Sequence, residues 1–156
     1  MSRFPVTAFE EYVTDVQTYL RGDAVNIDGY ESRNTWIAAT GLAKVPVDVA
    51  ATGPRVIALS AVRAERITFA MGADPQRVGD AIALAKQTRE AAGLDPNLLS
   101  LGAYVNCTAD PDVELARATI AGTVGVFAHF SGMAGSSSSP HPAMLIWQWL
   151  PNPTNA

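Results

Sequence analysis

The sequence is poor in the residues from which most metal and nucleophilic sites are built. It has one cysteine and two histidines among 156 residues, so an internal disulfide and a cysteine zinc site are excluded. Charged residues make up 17% of the chain and the net charge is −4, which argues against nucleic acid because phosphate binding needs clustered lysine and arginine. No apolar run reaches the roughly 18 residues of a membrane span, and no signal peptide follows Met1. We therefore expect a cytoplasmic protein with neither nucleic acid nor a membrane as partner.

Hydrophobic residues make up 48% of the chain, which is enough for one folded domain with its own core. Cys107 is expected to be a small buried hydrophobic residue, and His129 a half-buried histidine at a helix end. We find no nucleophile elbow, P-loop, metal motif or carboxylate pair with acid–base spacing. The residues alone therefore predict no metal site and leave the catalytic residues unknown.

The first third of the chain predicts a helix and a hairpin arm. Apolar residues recur at helical spacing over 9–20, and Gly22 is placed to end that helix. Val25 and Ile27 alternate with polar residues before an Asp28-Gly29 turn. Residues 30–44 are expected to form a loop that Trp36 anchors in the core.

From residue 45 onward, strands and helices alternate. Apolar runs predict strands over 45–51, 66–71 and 98–107. Pro54 is expected in the first turn of one helix; Asp74 should cap a second, which ends at Gly93. Asp110 repeats the cap signature before a third helix over 112–127. This order predicts a parallel sheet that helices cover on both faces.

Ligands in parallel α/β folds bind beyond the carboxyl ends of the strands, which singles out three loops. In the first, 50–54, small residues allow close approach to the backbone, and the free N–H groups of the next helix favour an anion. A tight turn without a ligand remains the alternative there. The second loop, 71–74, follows the same logic, although Asp74 is expected to cap its helix. In the third, Asn106 is placed either to hydrogen-bond a ring or ribityl chain or to stabilise the turn.

Four segments carry a family resemblance: residues 44–55 (KVPVDVAATGPR), 64–75 (AERITFAMGADP), 101–106 (LGAYVN) and 128–133 (AHFSGM). Together they resemble the luciferase-like monooxygenase superfamily, and within it the deazaflavin-dependent branch that includes methylenetetrahydromethanopterin reductase. In order, they resemble the fifth barrel strand and its loop, the sixth strand and its helix start, the seventh strand, and a segment that follows it. Upstream, the end of the first helix and the Asp28-Gly29 turn match the connection before strand five.

The resemblance implies a partial (β/α)8 TIM barrel, of about strands five to seven with their helices, in a domain over 1–134. The Ser/Pro-rich tail over 135–156 does not match the family and is expected to be poorly ordered. A C-terminal partial chain is implied, because strands one to four and strand eight have no counterpart. Glu65 stands where the family usually carries aspartate.

The resemblance also implies an enzyme, a flavin- or deazaflavin-dependent oxidoreductase that acts on a small molecule by hydride transfer or oxygen insertion. It favours a deazaflavin (coenzyme F-420) over FMN. The implied cofactor contacts, the last two in second rank, are Ala50, Ala51, Thr52, Gly53, Gly72 and Ala73.

Three functional hypotheses follow. The chain is an active oxidoreductase, expected as a homo-oligomer or with a complementing chain. Alternatively it is an inactive truncated barrel remnant that needs a partner, or an unrelated α/β anion-binding module. Strand order tests the third hypothesis, because such a module requires a flavodoxin-like sheet.

Overall fold

The computed structural model describes residues 5–132, with side chains as far as residue 126. The helices of this part are α1 (Val6–Leu20), α2 (Thr35–Ala39), α3 (Pro54–Arg63), α4 (Pro75–Ala91) and α5 (Val113–Gly132). Its strands are β1 (Ala24–Ile27), β2 (Tyr30–Arg33), β3 (Asp48–Ala51), β4 (Arg66–Phe69) and β5 (Ser100–Ala103). None of the helices in this range is both long and apolar enough to cross a membrane.

Strands β1 and β2 form an antiparallel hairpin after α1. Both turn residues have left-handed backbones, with φ of 54° at Asp28 and 89° at Gly29, as a tight two-residue hairpin turn requires. The predicted helix, hairpin arm and turn are therefore confirmed. The prediction for Trp36 is wrong: it lies in α2, a five-residue helix without buried residues, and is 70% exposed.

Strands β3, β4 and β5 form a parallel sheet in consecutive order. All three predicted strands are found, but only four residues of each are strand. The third is shortened most: a 3-10 turn over Pro96–Leu98, which Asp95 caps, takes its predicted first residue, and the strand ends at Ala103 instead of at 107.

Helices cover one face of this sheet and leave the other open. Side chains alternate along each strand, so in β4 Ile67 and Phe69 are buried while Arg66 is exposed. The core on the covered face is built from β3, β4, α3 and α4 and includes Ala51, Ile57, Ala61, Ile67, Phe69, Met71, Ala81, Ala85 and Leu99. Cover on both faces, as predicted, is therefore wrong for residues 5–132, since α3 and α4 pack on the same face.

The helix starts after the strands match the sequence signals in two cases out of three. Pro54 is the first residue of α3, and the Asp74 carboxylate accepts hydrogen bonds from the N–H groups of Gln76 and Arg77 at the start of α4. The prediction for Asp110 is wrong, because Asp112 caps α5 by accepting from the two N–H groups at 114 and 115. Asp110 instead accepts a hydrogen bond from the Asp112 N–H, and α5 begins at Val113.

Consecutive strand order with helices on one face fits a barrel segment, and it equally fits three strands on one side of a flavodoxin-like sheet, where the winding reverses only at the switch point. Three strands do not close a barrel, and the residues described here form no closed one. The partial (β/α)8 barrel therefore stays a prediction.

The covered face should dominate the stability of the fold. Ile67 is fully buried, so we expect Ile67→Ala to lower the free energy of unfolding by about 3 kcal/mol through lost burial and a cavity. The matched control is Trp36→Ala at an exposed site, expected to change it by no more than about 0.5 kcal/mol. Urea unfolding followed by circular dichroism measures both, and equal losses would contradict this placement of the core.

Candidate functional site

The three loops singled out in the sequence lie side by side at the carboxyl edge of the sheet. The Ala70 N–H donates to the Ala51 carbonyl at 3.0 Å, and the Tyr104 N–H donates to the Phe69 carbonyl at 2.9 Å. These bonds continue the strand pairing past the last strand residues. A ligand at this edge would therefore meet all three loops together.

In the first loop, successive side chains point to opposite faces of the sheet, so the predicted cofactor contacts do not all lie on the same side. Ala50 is exposed on the open face and Thr52 is exposed at the edge. Ala51 is fully buried in the core on the covered face, and its carbonyl is already bonded to Ala70. The Ala51 side chain is thus part of the core and its carbonyl holds the first two loops together, while its assignment as a cofactor contact stays a prediction.

Gly53 precedes α3 with extended backbone, φ −116° and ψ 155°. Among the described residues, no side chain caps this helix, and a Cβ built on Gly53 would meet no atom within 4 Å. A side chain at Gly53 would consequently extend into open space, and the described side chains leave the first N–H groups of α3 uncapped. The helix dipole places partial positive charge there, and the exposed Arg55 in the first turn adds a full charge.

The second loop turns at Gly72, whose φ of +87° is a left-handed conformation that favours glycine. Ala73 follows it and is exposed at the same edge. The Asp74 carboxylate is engaged in its cap, at 2.9 Å from the Gln76 nitrogen. Gly72 therefore has a conformational reason for its identity, whereas Ala73 is available to a ligand.

The third loop contains two features that differ from expectation. Cys107 is exposed, so the prediction of a buried thiol is wrong; β5 ends at Ala103 and leaves Cys107 in the loop. Cys107 lines a cleft of about 700 Å³ between this loop and the first half of α5. Asn106 has a buried side-chain nitrogen that meets no hydrogen-bond partner in the described part of the chain. The side chain of His129 lies outside the described residues.

The open face carries a polar group that sequence reasoning missed. The Asp48 carboxylate lies 3.2 Å from Nε of Arg66 and accepts a 2.7 Å hydrogen bond from Thr68. A Cβ on Gly102 would lie 2.7 Å from Nη2 of Arg66, so this glycine leaves room for the guanidinium. In the sequence, polar residues alternate with apolar ones in β3 and β4. Only the register of the two strands shows that Asp48 lies beside Arg66.

Glu65 lies at the opposite edge of the sheet, in surroundings that change its pKa. Burial raises the pKa of Glu65, but hydrogen bonds from the Val47 N–H and from Gln17, together with Lys44 at 3.1 Å, outweigh it and leave this pKa below its usual range. Glu65 precedes β4, so it lies at the amino edge. Its chemistry is structural, and it is not placed to move protons at the three loops.

A comparison with protein families identifies the family to which this chain belongs. The model of the luciferase-like monooxygenase family matches residues 3–145. The chain belongs to the luciferase-like monooxygenase family. The match spans both the sheet and all three carboxyl-edge loops. No curated protein was found to match the chain.

Membership of the luciferase-like monooxygenase family indicates oxidoreductase or monooxygenase chemistry of the flavin type. Members use flavin or F420 cofactors in general, so the family alone does not choose between them. The predicted superfamily is confirmed; the deazaflavin branch stays a prediction.

The depressed pKa of Glu65 predicts a pH dependence of stability. A carboxylate whose folded pKa is lowered stabilises the fold above its unfolded pKa, and that contribution is lost as pH falls through the folded pKa. We expect Glu65→Gln to lower the free energy of unfolding by about 1 kcal/mol at pH 7, since the pair is partly screened by solvent. The difference from the parent protein should shrink as pH falls below about 4.3, the usual glutamate value.

Urea unfolding at several pH values measures this effect, with Glu11→Gln as control because Glu11 is exposed on α1. A Glu65→Gln penalty that is the same at pH 3 and pH 7 would show that the carboxylate charge does not contribute.

Exposure of Cys107 predicts ready thiol chemistry. Because it is the only cysteine, a chromogenic disulfide reagent should titrate one thiol per chain without denaturant, at a rate close to that in 6 M urea. A native rate more than about a hundredfold slower would place the thiol in the interior instead.

Proposed function

We propose that this chain supplies a cofactor-binding edge of an oxidoreductase, with a deazaflavin (coenzyme F-420) favoured over FMN. One observation carries the proposal: α3 begins without a capping side chain, with open space at Gly53, in a member of a family whose cofactors carry phosphate. The preference for deazaflavin rests on the resemblance of residues 44–55 and 64–75 to that branch.

The residues at the edge fit such a group. The uncapped N–H groups of α3 and the nearby Arg55 suit a phosphate. Ala50 and Ala73 are small and exposed, so they allow a flat ring to approach the strand ends. The exposed Thr52 hydroxyl both donates and accepts hydrogen bonds. We assign these residues, with Gly53 and Gly72, to cofactor binding.

A bound deazaflavin or flavin supplies the redox chemistry, by accepting or delivering a hydride or, for flavin, by reacting with oxygen. The chain's own residues bind the phosphate, set the ring against small side chains and exclude water at the strand ends. Asp74 and Asp112 are used as helix caps, so neither is a free acid or base. The catalytic residues of the reaction stay unassigned, and the substrate is a small molecule.

The open polar face favours a partner for this edge. In a TIM barrel, the inner faces of the strands fill a packed interior. Here that side carries the exposed Asp48 and Arg66, and β3 and β5 each pair with one neighbour in the described part. We propose that these strands correspond to barrel strands five to seven, and that a second copy or a complementing chain completes the site. A chain that folds without such a partner and binds no cofactor is the competing outcome, an inactive remnant.

The test is a titration of the purified protein with oxidised coenzyme F-420 and with FMN, following cofactor fluorescence, beside the Gly53→Asp variant. Aspartate is a favourable N-cap residue, and the backbone at Gly53 tolerates a side chain. The variant should therefore be at least as stable, while its carboxylate occupies the phosphate subsite and weakens binding at least tenfold.

The matched control is Gly53→Asn, which has the same shape and caps the helix without a charge. It should bind more tightly than Gly53→Asp. Unchanged binding in Gly53→Asp would refute the phosphate subsite. Failure of the folded parent protein to bind either cofactor would mean that family membership describes its ancestry and not its present activity.

A further inference from the structure

Asn106 is in an unfavourable environment at the carboxyl edge. Its Nδ2 atom is buried and has no hydrogen-bond partner among the described residues, although the residue as a whole is only half-buried. Buried amide groups are nearly always paired, because an unpaired donor loses its bonds to water without replacement. We infer that Asn106 is a ligand-binding residue that donates from its side-chain amide to an acceptor oxygen of the cofactor's ring or ribityl chain.

Position supports this assignment. Asn106 follows the end of β5, and the bond from the Tyr104 N–H to the Phe69 carbonyl keeps that stretch beside β4. The same edge holds Gly53 and Gly72 at the ends of the two neighbouring strands. Asn106 is therefore on the loop next to those that we assign to the cofactor, and the inference rests on that proposed function.

Chemistry separates this subsite from the one at Gly53. An amide nitrogen is a neutral donor and suits a carbonyl or hydroxyl oxygen, whereas a helix start beside an arginine suits an anion. A ligand acceptor within hydrogen-bonding distance of Nδ2 would supply the partner that this buried donor lacks. A leucine of similar size needs no partner, so the protein without ligand loses nothing by Asn106→Leu.

Two expectations follow, in opposite directions. Asn106→Leu should leave the thermal unfolding midpoint of the free protein unchanged or raised. It should also weaken cofactor binding about tenfold, the usual effect of losing one hydrogen bond of this kind. A purely structural asparagine would lower the midpoint when replaced and would not give this combination.

The experiment measures dissociation constants by fluorescence for FMN and for riboflavin, which lacks the phosphate, and for coenzyme F-420 and its phosphate-free deazariboflavin. Asn106→Leu should weaken binding to all four compounds, whereas Gly53→Asp should weaken binding only to the two with phosphate. Asn97→Leu is the matched control, because Asn97 is exposed at the other end of β5 and should not alter binding. Asn106→Ala, which only shortens the side chain, repeats the test in a second background.

The outcomes are distinct. If the parent protein binds and both Asn106 variants bind as tightly, the inference is overturned and the proposed function stands. A lower unfolding midpoint in both variants also overturns it, since Nδ2 would then have a structural partner. If Gly53→Asp has no effect while Asn106→Leu weakens binding, the phosphate subsite fails and Asn106 stands. No binding by the folded parent protein overturns both.

Discussion

Apolar and polar side chains alternate along β3 and β4, so one face of the sheet is apolar and must be covered by helices, whereas the other is polar and can face water. Ile67 and Phe69 are buried in the core with α3 and α4, and Val49 is buried in a second cluster with Val13 of α1. This packing removes apolar surface from water and holds the helices in place. Asp48 and Arg66 face the other way and neutralise each other. The sheet can thus be stable with helices on one side only, and both the direction of its strands and the location of its loops follow from that packing.

Short-range sequence patterns predicted the helices, strands and turns well, whereas features that depend on contacts between distant parts of the chain could not be predicted. The Asp28-Gly29 turn, Pro54 and the Asp74 cap each depend on a few neighbouring residues, and all three are found as expected. The exposure of Trp36 and Cys107 depends on what the rest of the chain packs against, which hydrophobicity alone does not determine. Cover on both faces was inferred from apolar strands, but short strands rich in alanine read as apolar even when one face is open.

The three helix starts at the carboxyl edge differ in a way that matters for binding. Asp74 caps α4 and Asp112 caps α5, so a carboxylate already satisfies their first N–H groups. Among the described residues no side chain caps α3, because Gly53 has no side chain. At the starts of α4 and α5 an anion would compete with the carboxylate of the capping aspartate, whereas at α3 it would compete only with water. The candidate site is therefore defined as much by the two capped helices as by the uncapped one.

The two edges of the sheet separate stability from binding. At the amino edge, the Glu65 carboxylate accepts from Gln17 and from the Val47 N–H, which ties α1 and the chain before β3 to β4. At the carboxyl edge stand an uncapped helix, a left-handed Gly72 and the unpaired amide of Asn106, each of which leaves a backbone or side-chain group without its best partner. Local rules of folding are commonly broken at functional sites, where a ligand supplies the missing interaction. The amino edge also holds a buried oxygen without a partner, Oε1 of Gln17, but the amide nitrogen of that side chain is bonded to Glu65 and to the Arg63 carbonyl. At the carboxyl edge the uncapped start of α3 and the unpaired Asn106 amide follow strands of the same sheet, which is the physical reason to place the ligand there.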